Sequence, residues 1–136
     1  MKFNAIRIFT GILMITSLGV ASETEAVPKD THAIKGKLIS LKKVADCGIL
    51  HWGAIAEYEV LESEKHIRGT RVEIVVGCSE LTRKGYAAAA GSLEKFTVSE
   101  EHLLLVSDKN ERRIEVYSPA KRDVARYFLW SADPAK

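Results

Sequence analysis

The sequence predicts a small, mainly β protein that folds as an antiparallel barrel with one short helix. Apolar and polar residues alternate over short segments, turn-forming residues recur at close intervals, and no strand is followed by a long helical pattern. A chain of 136 residues with 46% hydrophobic residues can bury one core, and it has no room for a second domain.

Residues 1–22 have the order of segments that is typical of a secretory signal peptide. Two basic residues precede an apolar stretch at residues 8–20, and small residues follow it. A membrane-spanning helix needs about 20 apolar residues, so a cleaved signal is favoured over a stable membrane span. We therefore expect a secreted or periplasmic protein whose mature chain begins near Ser22 or Glu23.

The predicted mature chain is electrically neutral. The whole chain has 20 basic and 18 acidic residues, and residues 1–22 contain two of the basic residues and none of the acidic ones. A neutral chain lacks the positive field on which non-specific nucleic-acid binding depends, so nucleic acid is not expected as a partner. No cofactor is predicted.

The first half of the mature chain predicts a leader and two strands. Residues 23–33 are polar and form the expected flexible leader. Residues 34–44 predict a first strand, and the apolar positions change side along it, which indicates a bulge or burial on both faces. Residues 52–61 predict a second strand whose inward face is Ala54, Ala56, Tyr58 and Val60, since Glu57 and Glu59 must face water.

Residues 70–78 show the clearest alternation in the chain and predict a third strand. Its inward side chains are Val72, Ile74, Val76 and Cys78. Residues 79–91 combine a helix-capping serine, an alanine run and a terminal glycine, so they predict a short helix or a kinked turn.

The last third of the chain predicts short strands and a tail. Residues 96–98 are a brief extended piece, and residues 102–107, with three consecutive leucines, predict a strand buried on both faces. Residues 112–117 predict a further strand. Residues 124–130 predict a last strand or a short helix, and residues 132–136 predict a tail.

The two cysteines of the chain predict one disulfide. Cys47 follows the first predicted strand and Cys78 ends the third, so both lie at strand ends. Export to an oxidising compartment and an even cysteine count favour a bridge over two buried thiols. A bridge that closes a loop of about 30 residues stabilises a fold by roughly 3–4 kcal/mol in the chain-entropy model.

Three strands, a short helical segment and two or three further strands are the element order of an OB-like barrel, here over residues 34–131. The segments at residues 77–81 (GCSEL), 91–98 (GSLEKFTV) and 102–106 (HLLLV) resemble the netrin-like module of secreted proteins and tissue metalloproteinase inhibitors. That resemblance implies an OB-type barrel with disulfides, export and an interaction role. The inhibitors bind the protease metal through an N-terminal cysteine, which has no counterpart here.

The sequence predicts no enzyme. It contains no Gly-x-Ser-x-Gly elbow, phosphate loop, Cys-x-x-Cys pair or His-Glu-x-x-His motif. Cys47 and His51 have the spacing of a nucleophile and its base, but a bridged cysteine cannot attack. The alternative is a small envelope hydrolase or metal-dependent enzyme, whose scattered candidate residues are His32, His51, His66, His102, Glu57 and Glu59.

We therefore expect an exported, non-catalytic module that binds a protein or an envelope polymer. Loops on a rigid barrel carry recognition, which points to residues 48–53 together with the hairpin at residues 62–69. The candidate contact residues are His51, Trp52, His66 and Arg68. Trp52 is the anchor if it is exposed, and a core residue otherwise.

Overall fold

A computed structural model describes residues 26–84 and 89–135 of the protein. The predicted signal peptide lies outside the described residues, as do residues 85–88 of the predicted helix. The described residues form five strands, namely β1 (Thr31–Lys42), β2 (Gly53–Ser63), β3 (Arg71–Gly77), β4 (Glu101–Ser107) and β5 (Ala125–Pro134). In the part of the chain that is described, no helix is long and apolar enough to cross a membrane.

The five strands form one closed barrel in the order β1-β2-β3-β5-β4. This confirms the prediction of a mainly β barrel. Four of the strand pairings are antiparallel, but β3 and β5 run parallel, with Val72 opposite Ala125 and Val75 opposite Phe128. The predicted antiparallel arrangement therefore holds for four of the five strand pairs and fails between β3 and β5. The long connection between β4 and β5 brings the chain back to the starting end of β3, so β5 enters beside β3 in the same direction.

The barrel interior holds a single hydrophobic core. The inward face predicted for β2 is confirmed, because Ala54, Ala56, Tyr58 and Val60 are all buried. The other members of the core include Ile34, Leu38, Val72, Ile74, Val76, Phe96, Leu104, Val106, Tyr127 and Leu129. Each large side chain buried in this way contributes roughly 1.5–3 kcal/mol to folding.

Strand β1 is long and irregular, and this lets it pair with both β2 and β4. Its register against β2 shifts between Lys35 and Gly36 and again between Leu38 and Ser40, which agrees with the bulge, one of the two alternatives that the sequence left open. A Cβ atom on Gly36 would lie 3.0 Å from the ring of Tyr58. The glycine therefore lets that ring lie against the backbone of β1.

The short helix predicted within residues 79–91 is not seen among the residues described there, which form turns and bends. The backbone N–H of Leu81 donates to the carbonyl of Cys78 at 3.0 Å, which closes a single turn. The Arg83 guanidinium then donates to the carbonyls of Gly77, Cys78 and Leu81 at 2.6–3.0 Å. One side chain therefore ties the end of β3 to the turn that follows it.

Strand β4 is buried on one face rather than on both, which corrects the prediction for residues 102–107. His102, Leu104 and Val106 point into the barrel, whereas Leu103 is 45% exposed. A closed single-layer barrel has one interior, so alternate residues of each strand must face outward.

The connections also differ from prediction. The strand predicted at residues 112–117 was wrong, since Glu115 makes only an isolated bridge to Trp52. Residues 96–98 form no strand, and Phe96 instead packs into the core. For residues 124–130, where strand and helix were both open, the structure shows β5.

Candidate functional site

The predicted disulfide between Cys47 and Cys78 is present, with the two Cα atoms 5.5 Å apart. It joins the β1–β2 loop (residues 43–52) to the residue that follows β3. The bridged cysteines are separated by 31 positions, and the covalent ring contains the whole of β2 and β3. We call this part of the molecule the disulfide end of the barrel.

Backbone contacts hold the bridged residues in place. Cys78 has a positive φ of 49°, a conformation that costs energy for a residue with a side chain and needs support from its surroundings. Its N–H donates to the carbonyl of Trp52 at 3.0 Å, and its carbonyl accepts from the buried Arg83 guanidinium. The Trp52 N–H donates to the Sγ atom of Cys47 at 3.2 Å. The loop and the end of β3 therefore form one fixed unit.

The tip of the β1–β2 loop presents apolar side chains to solvent. Ile49 is fully exposed, and Leu50 and Val44 are about half exposed. Charged groups lie in and beside the same loop, where Lys43 contacts Asp46 and the Glu80 carboxylate accepts the N–H of Cys47. Exposed apolar side chains with polar groups near them are the composition typical of a protein–protein interface.

Trp52 is half buried, which lies between the two alternatives left open by the sequence. Its ring packs against the exposed ring of Tyr117 with centroids 4.7 Å apart. The connection between β4 and β5 is fixed beside it, since Glu115 donates to the carbonyl of His51 at 2.9 Å and accepts from Gly53 at 2.8 Å. Trp52 and Tyr117 thus form an aromatic ledge next to the loop tip.

Ile114 anchors this connection on the outer surface of β2 and β3. A Cβ atom at Gly77 would lie 2.5 Å from the Ile114 side chain, and one at Gly53 would lie 2.8 Å from it. Both glycines are therefore needed for the close approach. The side-chain amide of Asn110 pairs with both backbone groups of Ile114, at 2.8 and 2.9 Å.

The opposite end of the barrel contains a cluster of His32, His66 and Tyr127, which we call the histidine end. The hydroxyl of Tyr127 is hydrogen-bonded to Nε2 of His66 at 2.6 Å. The ring of His32 packs edge-on against the Tyr127 ring at 4.7 Å. His32 is only 8% exposed, and neither of its ring nitrogens has a hydrogen-bond partner among the described residues.

Burial determines the protonation of His32. Desolvation lowers its pKa below the ordinary 6.5, and the positive charge of Lys65 and the neighbouring His66 lower it further. Asp108 and Glu64 act in the opposite direction without reversing the shift. Near pH 7 this imidazole is therefore neutral.

A second polar pair lies inside the core. The Tyr58 hydroxyl is hydrogen-bonded to Nδ1 of His102 at 2.8 Å, and both side chains are essentially inaccessible. Burial raises the pKa of Tyr58 and lowers the pKa of His102. Glu100 lies 3.8 Å from the other nitrogen of His102, too far for a hydrogen bond. The pair satisfies two buried polar groups, and no substrate can contact it.

The outer face of β2 and β3 carries a small groove of about 100 Å³ with paired charges. The buried carboxylate of Glu73 accepts two hydrogen bonds from Arg126, at 2.8 and 3.0 Å, and lies 3.6 Å from Lys121. Glu57 on the same face pairs with Arg71 at 2.9 Å. These carboxylates are therefore committed to ion pairs.

The structure separates the predicted contact residues into two groups. His51 and Trp52 precede β2, while His66 and Arg68 follow it. A strand of 11 residues spans roughly 35 Å, so the two loops lie at opposite ends of the barrel and form no common surface. Over the described ranges, no group of three or more His, Cys, Asp or Glu residues is placed to hold a metal ion.

The sequence reasoning missed two features of these ends. Strand β1 begins at Thr31, so His32 lies on the same inward face as Ile34 and Leu38. The alternation of β1 therefore already includes His32, but a polar residue at that position did not indicate a strand. The exposed Ile49 and Leu50 were also overlooked, although two adjacent apolar residues in a turn were visible in the sequence.

Comparison of the chain with protein-family models, curated proteins and solved structures finds no match.

Proposed function

We propose that the protein is an exported, non-catalytic binding module that docks on a partner protein through the disulfide end of its barrel. The observation that carries the proposal is the full exposure of Ile49 on a loop that a disulfide fixes to β3. Exposed apolar side chains cost solubility and are typical of interaction sites when they cluster.

The bridge supports this proposal because it fixes the loop before binding. A flexible loop loses conformational entropy when a partner immobilises it, whereas a preorganised loop has already lost it on folding. The half-exposed Leu50 and the ledge of Trp52 and Tyr117 extend the apolar surface. Tyr and Trp are enriched among the residues that dominate interface energetics.

The arrangement of strands supports an OB-like interpretation of the barrel. OB-folds bind ligands through the loops between β1 and β2 and between β4 and β5, and these two connections meet at the disulfide end. The resemblance of residues 77–106 to netrin-like modules fits the same interpretation. Protease inhibition is not part of the proposal, since the chain has no cysteine besides Cys47 and Cys78.

Export remains part of the proposal. A disulfide is compatible with an oxidising compartment, and the segment order of residues 1–22 supports a cleaved signal. N-terminal sequencing of protein recovered outside the cytoplasm should give a start near Ser22 or Glu23. An intact Met1 on membrane-bound material would contradict export by cleavage.

Site-specific cross-linking tests the docking surface. A photo-cross-linking residue is placed at position 49 or, as the matched control, at position 67, where Ile67 is 83% exposed at the other end of the barrel. We expect a discrete protein adduct in envelope extract from position 49 and none from position 67. Equal labelling from both positions would contradict the proposal.

Competition then measures the contribution of the loop tip. Unlabelled wild-type protein and Ile67→Asp should abolish the adduct at similar concentrations, whereas Ile49→Asp should require at least about 30-fold more, the equivalent of a 2 kcal/mol hot spot. Both substituted side chains are exposed, so folding is unaffected. A hydrolytic activity of the purified protein that is lost in His51→Ala would instead favour the enzyme alternative.

A further inference from the structure

The β2–β3 hairpin (residues 64–70) closes over a buried histidine that the proposed docking function does not use. His66 belongs to this hairpin and reaches the Tyr127 hydroxyl on β5, while His32 on β1 lies beneath them. The hairpin is otherwise held by short-range bonds, with the backbone N–H groups of residues 65 and 66 donating to Ser63 Oγ and that of Gly69 donating to Val60.

We propose that the β2–β3 hairpin opens at mildly acidic pH, and that protonation of His32 triggers the opening. A protonated imidazole has two N–H donors, and in the closed form both nitrogens of His32 are buried without an acceptor among the described residues. A buried unpaired charge is far more costly than a neutral polar group. Water must therefore reach the ring once it is protonated.

Of the elements packed around His32, the hairpin is the one that can move. Strands β1, β4 and β5 belong to the closed barrel, and His32 is paired in register with Val106 of β4. The hairpin contributes the charges that face His32 from outside, namely Lys65, Glu64 and His66. Opening it would separate His32 from the cation of Lys65 and admit water to both nitrogens.

The remaining charged groups near His32 do not replace the missing acceptor. Asp108 follows β4 and favours a protonated ring through its charge, but it is exposed and makes no hydrogen bond to His32. Asp30, two residues before His32, is paired with Lys109 at 3.2 Å. Nε2 of His66 already has a hydrogen-bond partner in the Tyr127 hydroxyl, whereas neither nitrogen of His32 has one among the described residues. The trigger is therefore His32 rather than His66.

The direction of the pH dependence follows from burial. The closed hairpin holds the pKa of His32 below 6.5, and the open hairpin lets it return toward 6.5. The open form therefore binds the proton more tightly, and opening is favoured as pH falls below about 6.5 until the closed-state pKa is passed. Above that window the hairpin stays closed, and one proton gives at most a tenfold change in the opening equilibrium per pH unit.

Amide hydrogen exchange between pH 7.5 and 4.5, corrected for the intrinsic exchange rate, tests the proposal on the purified protein. The reporters are Gly69 and Thr70, whose N–H groups donate within the hairpin region, and the reference is Cys78 at the disulfide end. We expect the protection factors of the reporters to fall by up to tenfold per pH unit within the window, while Cys78 stays protected.

Substitutions at two positions, 32 and 66, identify the histidine whose protonation opens the hairpin. His32→Phe keeps an aromatic ring that cannot titrate and should make the protection of the reporters independent of pH, and His32→Gln serves if the phenylalanine variant does not fold. His66→Gln should keep the pH dependence. The proposal is overturned if the wild-type reporters do not respond to pH, if His32→Phe and His32→Gln respond like the wild type, or if Cys78 loses protection in parallel.

Discussion

The two ends of the barrel are closed by different chemistry. At the disulfide end, a covalent bond, a buried arginine and an interdigitated isoleucine fix the β1–β2 loop to β3 and to the connection before β5. At the histidine end, a hydrogen bond between His66 and Tyr127 links the β2–β3 hairpin to β5, over an imidazole without a partner among the described residues. Covalent closure is insensitive to pH, whereas closure over a titratable group is not.

Under the function and the hairpin opening proposed above, this difference gives the two ends different tasks. A surface that binds a partner gains affinity from rigidity, and three of the exposed apolar side chains, Val44, Ile49 and Leu50, lie on the covalently fixed loop. A segment that moves must be drawn from the less stable part of a fold, and the hairpin at the histidine end has few buried contacts. The following variants test this division.

Removal of the disulfide should have the largest effect. Cys78→Ala is expected to lower the free energy of unfolding by about 2–5 kcal/mol, because the unfolded chain regains the entropy that the covalent ring removes. Urea denaturation without reductant measures this loss, and Cys47→Ala/Cys78→Ala should match the single variant. A wild-type protein that unfolds at the same urea concentration with and without reductant would show that the bridge does not stabilise this end.

Gly77→Ala should have the next largest effect. The new Cβ would lie 2.5 Å from Ile114, so the connection between β4 and β5 must shift, at a cost of about 1–3 kcal/mol. Urea denaturation of Gly77→Ala, Ile114→Ala and the double variant forms a cycle. We expect the double variant to be more stable than the sum of the single effects predicts, and simple additivity would mean that the contact with Ile114 is not what fixes the connection.

Tyr127→Phe should have the smallest effect on global stability and a local effect on the hairpin. The substitution removes the hydrogen bond to His66 and keeps the packing of the ring on His32, so the expected loss is about 0.5–1.5 kcal/mol. Hydrogen exchange should increase at Gly69 and Thr70 before it does at Cys78. An equal increase at all three amides would contradict the view that the histidine end opens by itself.

The alternation of apolar and polar residues predicted the strands in which every inward residue is apolar. Strands β2 and β3 were predictable because their inward residues are uniformly apolar, and Cys78 continued that face. Strand β1 was not predicted to its full length, because its inward face begins with His32, a residue type that is common on surfaces. The described residues 79–84 form turns and bends instead of the predicted helix, and Arg83 donates there to the carbonyls of Cys78 and Leu81, a contact that local propensity does not predict.

The candidate site was predictable where it depended on a single strand or bond. The cysteine pairing followed from two strand ends and an even count. The sequence analysis instead grouped His51 with His66 on one surface, although the strand of 11 residues between them separates the two loops. The meeting of His32 with Tyr127 depends on barrel closure, in which β4 joins β1 to β5. No short-range pattern in the sequence specifies that closure.

The covalent ring between Cys47 and Cys78 also limits how far the chain can be stretched. When tension is applied to the two ends of the protein, residues inside the ring bear no force, so β2 and β3 are excluded from the extended length. A ring that spans 31 positions withholds roughly 100 Å of chain at about 3.5 Å per residue. The protein therefore has two contour lengths, and a reductant converts the shorter into the longer.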